Sequence, residues 1–243
     1  MWNVSMIPRR SASLNDPLSL IPGGDIRIES RFPNLFLNSS ATPVTNGEAV
    51  ASVLNYWGGG VVFQNTIGSQ RPTWQTGFIA GHGGMIFDSD AQQYLESVSN
   101  VDSNNQSLYF LAKMGGIGGG RRCGGYAQGR SFGGFGAGGQ WGFYQVDVTD
   151  IADMGGDYTS ITLIGIHIHP DFSLITETAG NESNFVIQSA WQPPWAKLYL
   201  ASNPALEYGD AQIAGVWHWP RVINSLERSI VRSYVLENYG TIG

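Results

Sequence analysis

The chain has 243 residues, a formal net charge of −6 at pH 7, only 13% charged residues, 33 glycines and one cysteine. That length suits one large all-β domain with a real core, and the low charge and aperiodic glycine exclude a coiled coil, a charged disordered chain and a collagen. Only Lys113 and Lys197 are lysines, and the densest basic spots are Arg9-Arg10 and Arg121-Arg122. No basic stripe is present to release counterions, so no nucleic-acid partner is expected. Cys123 stands alone, which leaves no intrachain disulfide and no cysteine zinc site. The first residues lack the apolar stretch of a signal peptide, and no window reaches the ~18 apolar residues of a membrane span.

Residues 1–33 read as an extended arm. Pro8, Pro17, Pro22 and Pro33 break any helix, and Gly23-Gly24 marks a turn. Trp2, Arg9 and Arg10 are its anchoring candidates, and Ile26 and Ile28, alternating with Arg27 and Glu29, read as a short edge strand. Such an arm is expected to add to a neighbour's sheet, which predicts a homo-oligomer or a place in a symmetric assembly.

Residues 34–243 read as strands separated by Gly, Asn, Asp and Pro clusters, the pattern of a sandwich or barrel. The spacing predicts strands over 107–112, 142–148, 160–169, 185–191, 197–201 and 211–219. The clearest is 160–169, where Ile164, Ile166 and Ile168 share one face. Segment 115–142 holds 14 glycines in 28 residues. Tyr126, Phe132, Phe135 and Trp141 give it rings to pack, so Gly-rich strands are expected rather than disorder. One helix is predicted near the C-terminus. Asn224 and Glu227 form a capping-box pair, Leu226, Ile230, Val231, Tyr234 and Val235 make an apolar stripe, and Gly240 terminates it.

Chemistry-bearing constellations are few. No strand carries the alternating E-x-D-x-x-E that would set a nucleophile and a general acid on one face. Asp147, Asp150 and Asp153, with Asp157, could wrap a hard cation such as Ca²⁺ from a loop, or be a solvated loop. His167-x-His169 followed by Asp171 places two imidazoles on one strand face, as a metal ligand set or as paired surface histidines. Gly134-x-Gly136-x-x-Gly139 matches a dinucleotide motif by letters but precedes a strand, not a helix. Cys123 beside Arg122 reads as an unreactive thiol. Trp57, Trp74 and Trp217 read as core, whereas Trp191 and Trp195 in Trp-Gln-Pro-Pro-Trp read as a loop able to stack on sugars or anchor a partner. Trp141 and Tyr126 join them as candidate glycan- or partner-binding rings.

Five segments in order resemble the concanavalin A-like lectin/glucanase superfamily in its laminin-G-like form. They are 35–40 (LFLNSS), 53–57 (VLNYW), 71–74 (RPTW), 84–88 with 93–95 (GMIFD, QYL), and 213–216 with 226–240 (IAGV through ENYG). Asn38 stands where the family has Asp, Gly58-Gly59 where it has Asn-Asp, and Gly215 where it often has Glu. The resemblance implies an antiparallel jelly-roll sandwich, here with the N-terminal arm and the C-terminal helix. It places the chain among sugar-binding modules, adhesion modules, parts of virus particles and, with paired carboxylates, polysaccharide hydrolases. The leading expectation is a non-catalytic structural component of a virus particle, a tailed bacteriophage's capsid decoration or tail fibre, contacting other virion proteins through the arm. The alternative is a carbohydrate-binding or adhesion module, extracellular or on the particle, that recognises host-surface polysaccharide. A polysaccharide hydrolase or a His-metal enzyme ranks below both, and no cofactor is expected unless Ca²⁺ binds.

Overall fold

The computed structural model describes residues 16–243 apart from 59, 116–120, 127–129, 136–139, 146–147, 172, 187–194 and 203–207, with backbone alone at 121, 130, 135, 144–145, 148–153 and 195. Along the chain the strands are β1 (Ile26–Glu29), β2 (Phe36–Leu37), β3 (Ser52–Leu54), β4 (Val61–Gln64), β5 (Thr73–Ile79), β6 (His82–Phe87) and β7 (Leu95–Ser97). There follow β8 (Val101–Asp102), β9 (Gln106–Met114), β10 (Arg121–Tyr126), β11 (Arg130–Phe135), β12 (Gln140–Gln145) and β13 (Val148–Asp157). The last are β14 (Thr162–Ile168), β15 (Ser173–Thr178), β16 (Asn181–Val186), β17 (Trp195–Ala196), β18 (Leu198–Leu200) and β19 (Ala211–Trp219), before helix α1 (Ser225–Tyr239).

Two antiparallel sheets face each other. One runs β16-β15-β14-β9-β19-β6-β5, with β1 also on β19. The other runs β13-β12-β11-β10-β18-β7-β4-β3-β2, and β17 and β8 make a small ribbon. Between the sheets lies one large apolar cluster that includes Ile164, Ile166 and Ile168 from the first and Phe63, Leu95, Leu198 and Leu200 from the second. The period-two reading of residues 160–169 therefore holds, because alternate side chains of a strand share a face. Register aligns Ile164, Phe110, Val216 and Ile28 across four adjacent strands.

The Gly-rich segment forms β10, β11 and β12, and their glycines make room for rings. A Cβ on Gly124 would sit 2.5 Å from the Phe132 ring. Segment 147–157, expected as a loop, is strand from Val148 to Asp157, paired with β12 across several register shifts. Gly155 and Gly156 have φ of 67° and 73° and supply the bends that let the ladder continue.

The arm also differs from expectation in its described part. Strand β1 pairs in register with β19 of the same chain, Ile28 opposite Val216. Ile26 and Ile28 are 4% and 1% exposed and belong to the core. Burying two isoleucines on the chain's own sheet satisfies that edge without a neighbour. Trp2, Arg9 and Arg10 lie outside the described residues.

Helix α1 covers the outer face of the first sheet. Asn224 accepts from the Glu227 N–H at 3.0 Å, the Glu227 carboxylate accepts from the Asn224 N–H at 2.8 Å, and Gly240 closes the helix at φ 71°. Val231, Tyr234 and Val235 are buried with Tyr109, Leu111, Leu163 and Trp217 in a second cluster. Leu226, placed on the stripe by spacing, is 70% exposed instead. It sits in the first turn of the helix. No helix among the described residues is long and apolar enough to cross a membrane.

Two buried ionic clusters pin the helix. Glu29, fully buried, accepts from Arg27, from Arg31 Nε at 2.7 Å, from the Tyr234 hydroxyl at 2.6 Å and from Trp217 Nε1 at 3.1 Å. Arg27 in turn donates to Asp16 and, at 2.7 Å, to Tyr234. On the other side Glu177 accepts from the Tyr109 hydroxyl and from Arg232, both at 2.8 Å, while Arg228 and Arg232 reach Glu182.

Candidate functional site

The outer face of the second sheet carries an aromatic and polar surface. Leu95 and Ser97 point inward from β7, and Leu198 and Leu200 from β18. Alternation therefore turns Glu96 and Tyr199 outward, and register sets them opposite each other. The row continues through Gln64 on β4 and Ser52 on β3. Four strands at about 4.8 Å spacing make this row roughly 14 Å long. Tyr94, one step before β7, and Tyr208 complete the surface. Ring centroids are 6.1 Å apart for Tyr94 and Tyr199 and 6.2 Å for Tyr94 and Tyr208, at interplanar angles of 37° and 45°. Among the described residues no other ring lies flat on any of the three.

Each tyrosine is held from below. The buried Asn65 side chain donates to the Tyr94 carbonyl at 2.9 Å and to the Gln70 carbonyl at 3.0 Å, so it fixes the Tyr94 backbone. Tyr199 sits on a strand whose Leu198 N–H donates to Ser97 Oγ at 2.9 Å. Beside Tyr208, the Gly209 N–H donates to the Ala201 carbonyl at 2.8 Å. A Cβ on Gly209 would lie 1.9 Å from the Arg122 carbonyl oxygen, so only glycine brings Tyr208 this close to β10.

Burial and the neighbouring carboxylate keep the Tyr94 and Tyr199 phenols protonated. Burial, then Glu96, which also hydrogen-bonds it, pushes the Tyr199 hydroxyl up to about 12. Burial, then Glu96 and Tyr208, raises the Tyr94 hydroxyl as well. The surface thus offers neutral hydroxyl donors, carboxamide and hydroxyl groups and one carboxylate. Flat apolar rings with polar edges match a ligand having C–H faces and hydroxyl rims, while Glu96 disfavours an anionic one.

The residues singled out from sequence fall elsewhere. Tyr126 is fully buried, and its hydroxyl donates at 2.8 Å to the Gln106 carboxamide, which His218 also contacts. Trp141 is 1% exposed and meets Tyr158 edge-on inside the core. Both were expected to face a ligand. They point inward because Gly-rich β10 and β12 place their few large side chains between the sheets. Trp191 lies outside the described residues. Trp195 begins β17 opposite Asp102, and its side chain is outside the description.

The His167, His169 and Asp171 set does not assemble among the described residues. His167 is fully buried beneath α1, with Nδ1 at 2.8 Å from Ser107 Oγ and Nε2 at 3.6 Å from Glu177. Asp171 is exposed and accepts from the Ser173 N–H and hydroxyl at 3.0 and 2.7 Å, so it caps a turn. Asp147 lies outside the described residues, and Asp150 and Asp153 are on strand β13 with undescribed side chains. Among the described residues no three His, Cys, Asp or Glu side chains are grouped to hold a metal. Cys123 is buried in the core, which pushes its thiol far above the usual range.

Sequence reasoning passed over Tyr94, Tyr199 and Tyr208. The signal was present in Leu198-Tyr199-Leu200 and Leu95-Glu96-Ser97, where alternation turns the middle residue outward. That the two segments are neighbours was not legible.

No family model matches the chain, and no curated protein matches it by sequence. Solved structures do. Domain 4 of AbnA, a GH43 extracellular arabinanase from Geobacillus stearothermophilus, solved with arabinotriose, is similar at TM-score 0.55 and 13% identity over 87% of this chain and 98% of that one. Trypanosoma rangeli sialidase is similar at TM-score 0.53 and 11% identity over 89% of this chain, which spans 33% of the sialidase. The binding domain of Botulinum Neurotoxin DC in complex with SialylT is similar at TM-score 0.51 and 7% identity, over 72% of this chain and 48% of that one. At these identities the likeness is one of fold.

Proposed function

We propose that the chain is a non-catalytic carbohydrate-binding module with a lectin-like, laminin-G-type sandwich, and that Tyr94, Tyr199 and Tyr208 form its glycan seat. The observation that carries this reading is the outward tyrosine trio beside Glu96. Sugar rings offer apolar C–H faces to aromatic rings and hydroxyls to the flanking Glu96, Gln64 and Ser52. The fold shared with an arabinanase domain solved with arabinotriose and with a toxin binding domain solved with SialylT supports it. Glu96 stands as a single carboxylate on this row, whereas glycoside hydrolysis in its usual form takes two, and this supports binding without turnover. The ligand class is a neutral polysaccharide segment, since an acidic one would meet Glu96. The setting we propose is the outside of a cell or of a tailed phage particle, where such glycans are met.

The test is electrophoresis through gels containing arabinan, xylan or laminarin, with polygalacturonate as the anionic comparison. Wild-type protein should be retarded by at least one neutral polymer and not by polygalacturonate. Tyr94→Ala with Tyr199→Ala should weaken the retardation about tenfold or more, two rings at roughly 1 kcal/mol each, at an unchanged fold by circular dichroism. No retardation by any neutral polymer, or full retardation of the double variant, would overturn the reading.

A further inference from the structure

Apart from the tyrosine trio, a cleft of about 310 Å³ lies between Asp16-Pro17, Arg31-Phe32, Tyr56 and the last turns of α1. This is at the low end of the roughly 300–1,000 Å³ typical of small-ligand sites, and so suits a mono- or disaccharide-sized group. One wall carries two rings and two guanidinium groups. The Arg27 guanidinium lies 4.4 Å from the Tyr56 ring centre, Tyr56 stacks on Phe32 at 4.5 Å and 18°, and the Arg31 guanidinium lies 4.5 Å from the Phe32 ring centre. Both guanidinium groups are held by the same Glu29 carboxylate, which fixes the wall. Beneath it, Arg27 and Glu29 are fully buried and mutually paired. The site is therefore pre-organised by charges that a ligand need not reorder.

Three groups at this cleft keep hydrogen-bonding capacity. Arg31 spends Nε on Glu29 and Nη1 on Asn238, which leaves Nη2 without a partner among the described residues. The Glu237 carboxylate and the Tyr56 hydroxyl make no hydrogen bond among the described residues either. A guanidinium N–H, a carboxylate and a phenol around a small cavity match the alternating donor and acceptor of adjacent sugar hydroxyls. Arg27 and Arg31 share the Glu29 and Asp16 carboxylates, and Glu237 adds one further negative charge, so an anionic ligand is disfavoured and a neutral saccharide suits the cleft.

We propose that this cleft is a second saccharide site that takes the neutral end of an oligosaccharide, with Arg31, Tyr56 and Glu237 as its hydrogen-bonding residues. Its ligand class rests on the carbohydrate reading, but its location does not, because it shares no residue with the tyrosine platform. The module would then grip a polymer along its length at one site and at its end at the other, and a two-site protein gains avidity on a multivalent surface.

The experiment is backbone NMR of the full chain titrated to about 10 mM with arabinotriose, xylotriose, maltotriose and lactose. At least one should shift the amides of Arg31, Tyr56, Glu237 and Asn238. Glu237→Gln and Tyr56→Phe, which keep the stack and the buried pair, should each weaken that binding about tenfold. No shift at these amides with any of the four sugars, or shifts unaffected by both variants, overturns the proposal. Shifts at the cleft with none at Tyr94 and Tyr199 would sustain it while removing the platform, and the reverse would do the opposite.

Discussion

Glu29→Gln removes one charge and almost no volume from the cluster that ties β1, β19 and α1 together. The carboxylate accepts from four donors, on Arg27, Arg31, Tyr234 and Trp217. A carboxamide keeps one acceptor oxygen and turns an N–H₂ toward two of those donors. Arg27, fully buried, then retains only Asp16 as a counter-charge. Breaking a buried ion pair from one side costs about 3–5 kcal/mol, because the remaining charge stays desolvated. In a domain of this size each kcal/mol moves the melting temperature by roughly 2–4 °C, so a fall on the order of 10 °C is expected. Urea unfolding followed by tryptophan fluorescence measures it, with Trp217 as an internal reporter. Combining Glu29→Leu with Arg27→Met should cost clearly less than the sum of the two single changes, since the two fully buried charges leave together and only the partly exposed Asp16 and Arg31 lose a partner. A single-variant loss below about 1 kcal/mol, or strict additivity in the pair, would refute the account of the cluster as a coupled ionic lock.

Acid should destabilise the protein in two steps. Burial holds the His167 imidazole below its usual value, so the unfolded chain takes the proton first and stability falls as pH drops below about 6.5. For Glu177 burial alone would raise the carboxyl, but His167 3.6 Å away and the hydrogen bonds from Arg232 and Tyr109 outweigh it and hold it low, and Arg228 does the same for Glu182. Their contribution is complete above about pH 4.5 and is lost as pH falls through the folded values; urea midpoints that rise between pH 7 and 5 would contradict this. Asn224→Ala should cost about 1 kcal/mol by calorimetry, because it removes the acceptor of the Glu227 N–H. Cys123 should resist a thiol reagent such as DTNB in the native state and react only in urea, since burial suppresses its thiolate; fast native labelling would show a more open core. Gly209→Ala should lower stability and weaken polymer binding together, because its Cβ cannot fit against the Arg122 backbone without moving Tyr208.

Two features of this protein were legible locally. The helix announced its start and end in Asn224, Glu227 and Gly240, because capping bonds span at most four residues and need nothing from the rest of the chain. The strand at 162–168 announced itself by the period of two in Ile164, Ile166 and Ile168, and those read over 107–112 and 211–219 by runs bounded by turn residues. Where glycine replaces the outward residues that signal vanishes, which is why Tyr126 and Trp141 read as ligand-facing and are core. The alternation at His167 was read correctly, but α1 turns that outer face into a second core, so the histidine is buried and paired.

The amino-acid sequence alone determined an all-β chain with a C-terminal helix and its inward isoleucines. All of these follow from hydrogen bonds and side-chain directions within a few residues. The tertiary structure decided which strands lie side by side. That choice brings Tyr94 to Tyr199 and Tyr208, and Arg31 to Asn238, 207 residues away. Strand order is fixed by the summed burial of two whole sheets, not by any local pattern, so the surfaces able to meet a ligand exist only once the sandwich has closed.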